Sequence, residues 1–411
     1  MYKTEINEFT ISGKTVNSFK SRFHIRQDVE LRIQELSDAN KITFRNKQYH
    51  LNELHPKNMF TEGATYLHDG IRLPLPNRHC IYQKVDGEEV VTAVKGISGA
   101  FESILISNRR TGIAKVEFAP LFGRMYVMME PQDIDYEEMN RKIMEDDDDI
   151  GPVFLNEQEE DDFFDDDDTT KSEGMACSNS DWKQIDLAVA YESTFCEQNG
   201  GSSGSADIAA QAIMEAASLK YQQENLCTVI RISHLEGYCN PAGDIYAEYV
   251  ELGLSGCSND GLIDGVQDIW NTDREFVGRD VAHLLTGTPL ECTADGDCMK
   301  GCAFEGGICT QGEEVDIGFG VVWATFTSSI DFRGIAVSHE LGHNCGALHV
   351  NNDGFVMSSD FTKAAIFSDS SITRMLRKFQ EKECVTEADA NLKPDCRQNL
   401  LRASFVRAML P

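Results

Sequence analysis

Short alternating apolar stretches occur at residues 90–94, 101–106, 113–118 and 125–129, separated by Gly and Asn turns, and this pattern predicts β-strands. Residues 1–144 therefore read as a β-rich first domain. Beyond residue 172 the pattern changes to apolar runs alternating with helical periodicity. Residues 184–192, 227–233, 281–285 and 317–325 are near-continuous apolar runs that predict buried strands. Residues 205–223 predict an Ala-rich helix with Ser205 as its N-cap, and residues 264–276, 335–345 and 371–382 predict three more helices. Strands and helices in this order imply an α/β (α+β) sandwich domain with a mixed, mostly parallel sheet over residues 172–385. A short tail, 386–411, follows.

Charge separates the two halves. The net charge is −31, and between Glu145 and Asp168 there are fourteen Asp or Glu and no Lys or Arg. Such a segment buries too little apolar surface to fold, so residues 145–171 are expected to be a disordered acidic linker. A chain this acidic gains nothing electrostatically from nucleic acid or an anionic membrane. No run of apolar residues is long enough to span a bilayer, and MYKTEINEFT shows no signal-peptide core.

Thirteen cysteines refine the picture, because twelve lie between Cys177 and Cys396 and only Cys80 lies outside. That distribution suggests up to six disulfides in the second domain and a secreted protein, despite the missing leader. The spacing of Cys292, Cys298, Cys302 and Cys309 has no short C-x2-C pair and suits a disulfide-pinned loop better than a zinc knuckle.

The candidate chemistry is concentrated at residues 339–349, H-E-L-G-H-N-C-G-A-L-H. On a helix, His339 and His343 project from one face, one turn apart, and together hold one zinc ion. Glu340 stands beside the first ligand, positioned to take a proton from water activated by the metal. The third ligand lies beyond the helix, so the chain must bend. Gly346 supplies the left-handed conformation that ends the helix and brings His349 round. Three protein ligands leave the open position of a catalytic zinc.

These residues resemble the metzincin zinc metalloproteases, most closely the reprolysin (adamalysin-like, M12B) branch. Phe355-Val356-Met357-Ser358 stands where that family carries its Met-turn, with Met357 as an apolar floor beneath the metal. Phe367-Ser368-Asp369-Ser370-Ser371 and the stretch from Arg279 to Leu285 also resemble the branch. The resemblance covers about residues 181–385, and more weakly 60–130, which look like a reprolysin propeptide. Two departures are the Val350 that follows the third histidine, where Asp is usual, and the short interval from His349 to Met357.

The resemblance implies a zinc-dependent endopeptidase acting on proteins or peptides and made as a latent proenzyme whose own propeptide inhibits it. It implies a substrate-binding edge strand, for which residues 318–323 are the candidate, with Gly320 and Val321 amides facing the oxyanion. It also implies a propeptide cysteine that occupies the zinc, and Cys80 is the one left over if the other twelve pair. A maturation cut near Lys171 fits better than one at Arg109-Arg110. Calcium is a weaker expectation, resting on Asp260, Asp264 and Asp268, whose spacing matches no EF-hand. Two alternatives remain: a catalytically silent binding protein of the same fold, which would have no use for Glu340, and a zinc hydrolase of small amides.

Overall fold

The computed structural model describes residues 2–3, 8–9, 13–36, 40–76, 81–96, 98–108, 114–122, 124–136, 182–223, 225–251, 261–292, 298–313, 315–351, 354–359, 366–382 and 384–388. Two sheets organise them. The first is antiparallel throughout, in the order Arg32–Glu35, Met125–Met129, Ala114–Phe122, Phe101–Asn108, Glu89–Lys95, Ile81–Asp86, His55–Lys57. Period-two alternation puts Met125, Val127 and Met129 on one face, against Val16, Phe19 and Phe23 around the helix Gly13–Arg22. Tyr126 faces the other way, among Ile42, Phe44, Ile104 and Phe118.

The second sheet runs Gly301–Ala303, Phe319–Trp323, Val281–Thr286, Lys183–Tyr191, Thr228–Gly237, Phe60–His68, Ile71–Leu73. Its five central strands are parallel, and the first and last are antiparallel. Both faces are covered, which is why the strands read as unbroken apolar runs. Ile185, Leu187, Val189 and Tyr191 face the helices Ser203–Tyr221 and Ile330–Asn344. Ala188 and Ala190 face the helix Leu262–Thr272, with Trp270 fully buried there. The expected mixed, mostly parallel sheet and the β-rich N-terminal region are both present.

Some boundaries differ from expectation. The first long helix begins two residues earlier, at Ser203, because the Ser202 hydroxyl accepts from the Ser205 amide and is the N-cap. The helix carrying the motif starts at Ile330, capped by Ser329. The split near residue 144 does not coincide with the split between sheets, since Phe60–His68 and Ile71–Leu73 belong to the second one. The acidic segment 145–171 and the tail 389–411 lie outside the described residues.

Disulfides join Cys196 to Cys239, Cys292 to Cys298 and Cys309 to Cys384, and Cys227 and Cys302 are also disulfide-bonded. Cys345 is a free, buried thiol. The twelve cysteines of the second half therefore do not all pair, and the parity that singled out Cys80 fails. Cys80 itself lies outside the described residues. No described helix is long and apolar enough to cross a membrane.

Candidate metal centre

The motif helix Ile330–Asn344 carries His339 and His343 one turn apart, and it ends where the sequence requires. Cys345 is the C-cap, Gly346 has φ 86°, the Gly346 amide donates to His343 O, and the Ala347 amide donates to Gly342 O. This paired 5→2 and 6→1 bonding is a Schellman motif, and its left-handed residue turns the chain back toward the helix. His349 then arrives beside the other two imidazoles.

The three Nε2 atoms lie 3.0, 3.1 and 3.1 Å from one another. Nδ1 of His339 donates to Val356 O at 2.7 Å, and Nδ1 of His343 donates to Ala347 O at 2.9 Å. With those protons on Nδ1, the Nε2 lone pairs of both rings point into one gap, an arrangement that a cation would relieve. Two nitrogens bound to one tetrahedral zinc at about 2.1 Å stand about 3.4 Å apart, so the triangle fits that ion with little adjustment. Burial pushes the His339 imidazole down to about 4 and holds His343 well below its usual range, so both are neutral at pH 7.

Met357 is fully buried and packs its thioether against Gly342, between the two helical ligands. The Val350 amide donates to Met357 O at 2.9 Å, tying the turn to the strand-like stretch after His349. Glu340 is 5% exposed and makes no hydrogen bond among the described residues. Burial pushes its carboxyl up to about 8. It lies against Gly301, whose α-carbon has no room for a side chain on that side.

Strand pairing around Gly301 bears on the expected edge. Phe319–Trp323 is paired on both sides, to Val281–Thr286 in parallel and to Gly301–Ala303 in antiparallel register, with Gly320 opposite Ala303 and Val321 opposite Cys302. Gly320 and Val321 are therefore interior, and the expectation that they form the edge is corrected. Gly301–Ala303 ends the sheet among the described residues. A strand whose side chains are buried on both faces reads as central, and Phe319–Trp323 carried that signal.

Sequence reasoning gave no role to His283 or Asn344, yet they brace the helix end. The Asn344 amide nitrogen donates to Phe304 O and Phe319 O, both at 2.9 Å. Its oxygen accepts from His283 Nε2 at 2.8 Å. Neither residue has a sequence signal apart from the motif next door. Asp260 lies outside the described residues, and no metal-ligating cluster among the described residues includes Asp264 or Asp268. A second group, Asp280 with Cys309 and Cys384, has its two sulfurs joined in a disulfide, which removes them as ligands.

Residues 208–350 match the family model of Metallo-peptidase family M12B Reprolysin-like, a span that includes all three histidines and Glu340. No curated protein matches the chain. Among solved structures, one similar chain is metalloproteinase-II from Bacteroides fragilis, at 10% identity and TM-score 0.41, covering 88% of this chain and 94% of that one. Another, described as the structure of a chaperone-substrate complex, is 15% identical with TM-score 0.35 and covers 49% of this chain. This chain spans 34% of that protein's length. The segment bearing the site is reprolysin-like, as the motif suggests.

Proposed function

We propose that the chain is a zinc-dependent endopeptidase that cleaves proteins or peptides, with His339, His343 and His349 holding the metal and Glu340 as general base. The observation that carries this reading is the pair of bare Nε2 atoms, with a third imidazole within 3.1 Å of each, beside an unpartnered, buried carboxylate. When bound, zinc supplies Lewis acidity, polarising the scissile carbonyl and lowering the pKa of water to about 7. Glu340 would accept a proton from the attacking water and return it to the leaving amine. The Gly301–Ala303 edge offers main-chain groups to an extended peptide, which aligns the scissile bond beside Glu340. Eight disulfide-bonded cysteines among the described residues fit an extracellular enzyme.

Two outcomes separate this from a silent binding protein. The full chain and its Glu340→Ala variant are assayed for zinc content and for cleavage of a denatured general protein substrate. One zinc per chain in both, with cleavage by the wild type alone and lost on chelation, is expected. Zinc in both with cleavage in neither sinks the peptidase reading.

A further inference from the structure

Among the described residues the N-terminal half grips the catalytic half at two places away from the three histidines. At the far end of the second sheet, Phe60–His68 continues it in parallel register beside Thr228–Gly237. Side chains from this strand enter the catalytic core. Tyr66 donates to the buried Asp207 at 2.7 Å, opposite Tyr191, which donates to the other oxygen at 2.8 Å. The Thr65 hydroxyl meets His234 Nδ1 at 2.6 Å. Lys57 and Gln83 both reach Glu215, at 2.7 and 2.8 Å.

The second grip is on the active-site helix. Glu117, from the middle of the first sheet, is fully buried behind that helix's first turn. Its two oxygens accept from the Ser329 hydroxyl at 2.5 Å and the Ile330 amide at 3.1 Å. A carboxylate here suits the positive end of the helix dipole. Burial pushes the Glu117 carboxyl up to about 7, with Asp331 adding to the rise and the Ser329 hydroxyl, the Ile330 amide and Arg333 opposing it. Around it, Ser328 donates its amide to Arg22 O at 3.0 Å, and Phe332 and Ile335 pack into the first sheet's own cluster. The first-sheet core is thus completed by two side chains of the helix that carries the zinc ligands.

We propose that the N-terminal half is a permanent subunit of the working enzyme: it stays bound when the acidic segment is cut, and through Glu117 it holds the active-site helix in register. Glu117 is a positioning residue, about two and a half turns of helix away from the nearest of the three histidines and touching no substrate. Pulling the halves apart takes Lys57 and Gln83 from Glu215, Tyr66 from Asp207 and Glu117 from the Ile330 amide, and opens both cores at once. Buried groups left so are costly.

The test uses the full chain with a sequence-specific protease site placed within 145–171. After complete cutting, native size-exclusion chromatography is expected to show both pieces in one peak at the position of the intact 45.9 kDa chain, with kcat/KM no lower than before. Two separate peaks, or a faster catalytic piece running alone, overturns the proposal. The activity arm rests on the peptidase reading above, and the elution arm does not. In the uncut chain, Glu117→Ala is expected to lower kcat by about 10- to 100-fold with KM and zinc content unchanged, the loss that follows misplacing a reacting group by about 1 Å. Glu117→Gln, which keeps an acceptor oxygen for Ile330, is expected to recover most of that loss. Should Glu117→Ala fail to fold, Ser329→Ala removes the other partner and carries the same expectation. Unchanged kcat in the folded variant refutes the positioning role.

Discussion

Adding one methyl group at Gly301 tests whether Glu340 is the base without touching a ligand. A Cβ built there lies 2.5 Å from Glu340 Oε1, 2.6 Å from its Cγ and 2.7 Å from its Cδ. Ordinary contact between such atoms is about 3.5 Å or more, so the carboxylate, the strand or both must move by about 1 Å. Glu340 is itself only 5% exposed. A displacement of that size at a reacting group costs about 100-fold, or about 2.7 kcal/mol of transition-state stabilisation. The histidines are anchored elsewhere, through Val356 O and Ala347 O, so metal content is expected to stay at one zinc per chain. The assay is paired: metal content, and kcat/KM on a denatured protein substrate, for wild type and Gly301→Ala. A melting curve guards against unfolding, since overpacking costs about 1–3 kcal/mol. A zinc-loaded, folded Gly301→Ala chain with wild-type kcat/KM refutes both the contact and the role given to Glu340.

Asn344→Ala strands His283 Nε2 and Phe304 O, while Phe319 O keeps the Phe304 amide as a donor. At about 1–3 kcal/mol for each buried group left unpaired, a loss of about 2–6 kcal/mol is expected in a urea titration, and less than about 1 kcal/mol contradicts it. His283 gives a pH prediction. Asn344 uses its nitrogen for two carbonyls, so its oxygen accepts from Nε2–H, and His283 Nδ1 is bare and buried with no partner. Burial pushes this imidazole down from 6.5 to about 4. A histidine lowered in this way stabilises the fold fully above 6.5 and loses that contribution as pH falls toward about 4, a total of about 3 kcal/mol. The urea midpoint of wild type is expected to fall faster over that window than that of His283→Gln, and parallel curves refute the assignment.

The candidate site was legible because it is local: eleven consecutive residues hold the three histidines, Glu340 and the glycine whose φ of 86° turns the chain. The core strands were legible for a similar reason, since burial on both faces writes itself as an apolar run. What was hidden depends on partners distant in sequence. Phe60–His68 has little apolar alternation, and its register shifts between Ile232 and His234. Its place in the second sheet comes from polar anchors, Tyr66 on Asp207 and Thr65 on His234, which no local pattern displays. Gly301–Ala303 spans three residues, too few for any period to show, so the role of the edge passed to its longer apolar neighbour. The cysteine count failed at Cys345 for a packing reason. Its thiol is buried under the helix end near Tyr221, and burial pushes both groups up, so it serves as a small apolar residue.

The helix that carries the ligands is fixed along its whole length by groups outside the metal site. Ser329 and Glu117 hold its first turn, and Ser338 donates within the helix to Gly334 O at 2.7 Å while facing the neighbouring helix at Ala217. Asn344 and the turn at Gly346 hold its end. Three imidazoles crowded within 3.1 Å would otherwise drift apart, because bare nitrogens repel and a free helix end frays. The bracing sets the triangle before any ion arrives, which lowers the reorganisation that binding requires. Burial acts in the same direction. It keeps His339 and His343 unprotonated at neutral pH, so an incoming cation has no proton to displace from either lone pair. Packing around the helix thus determines both where the ligands stand and the state in which they wait.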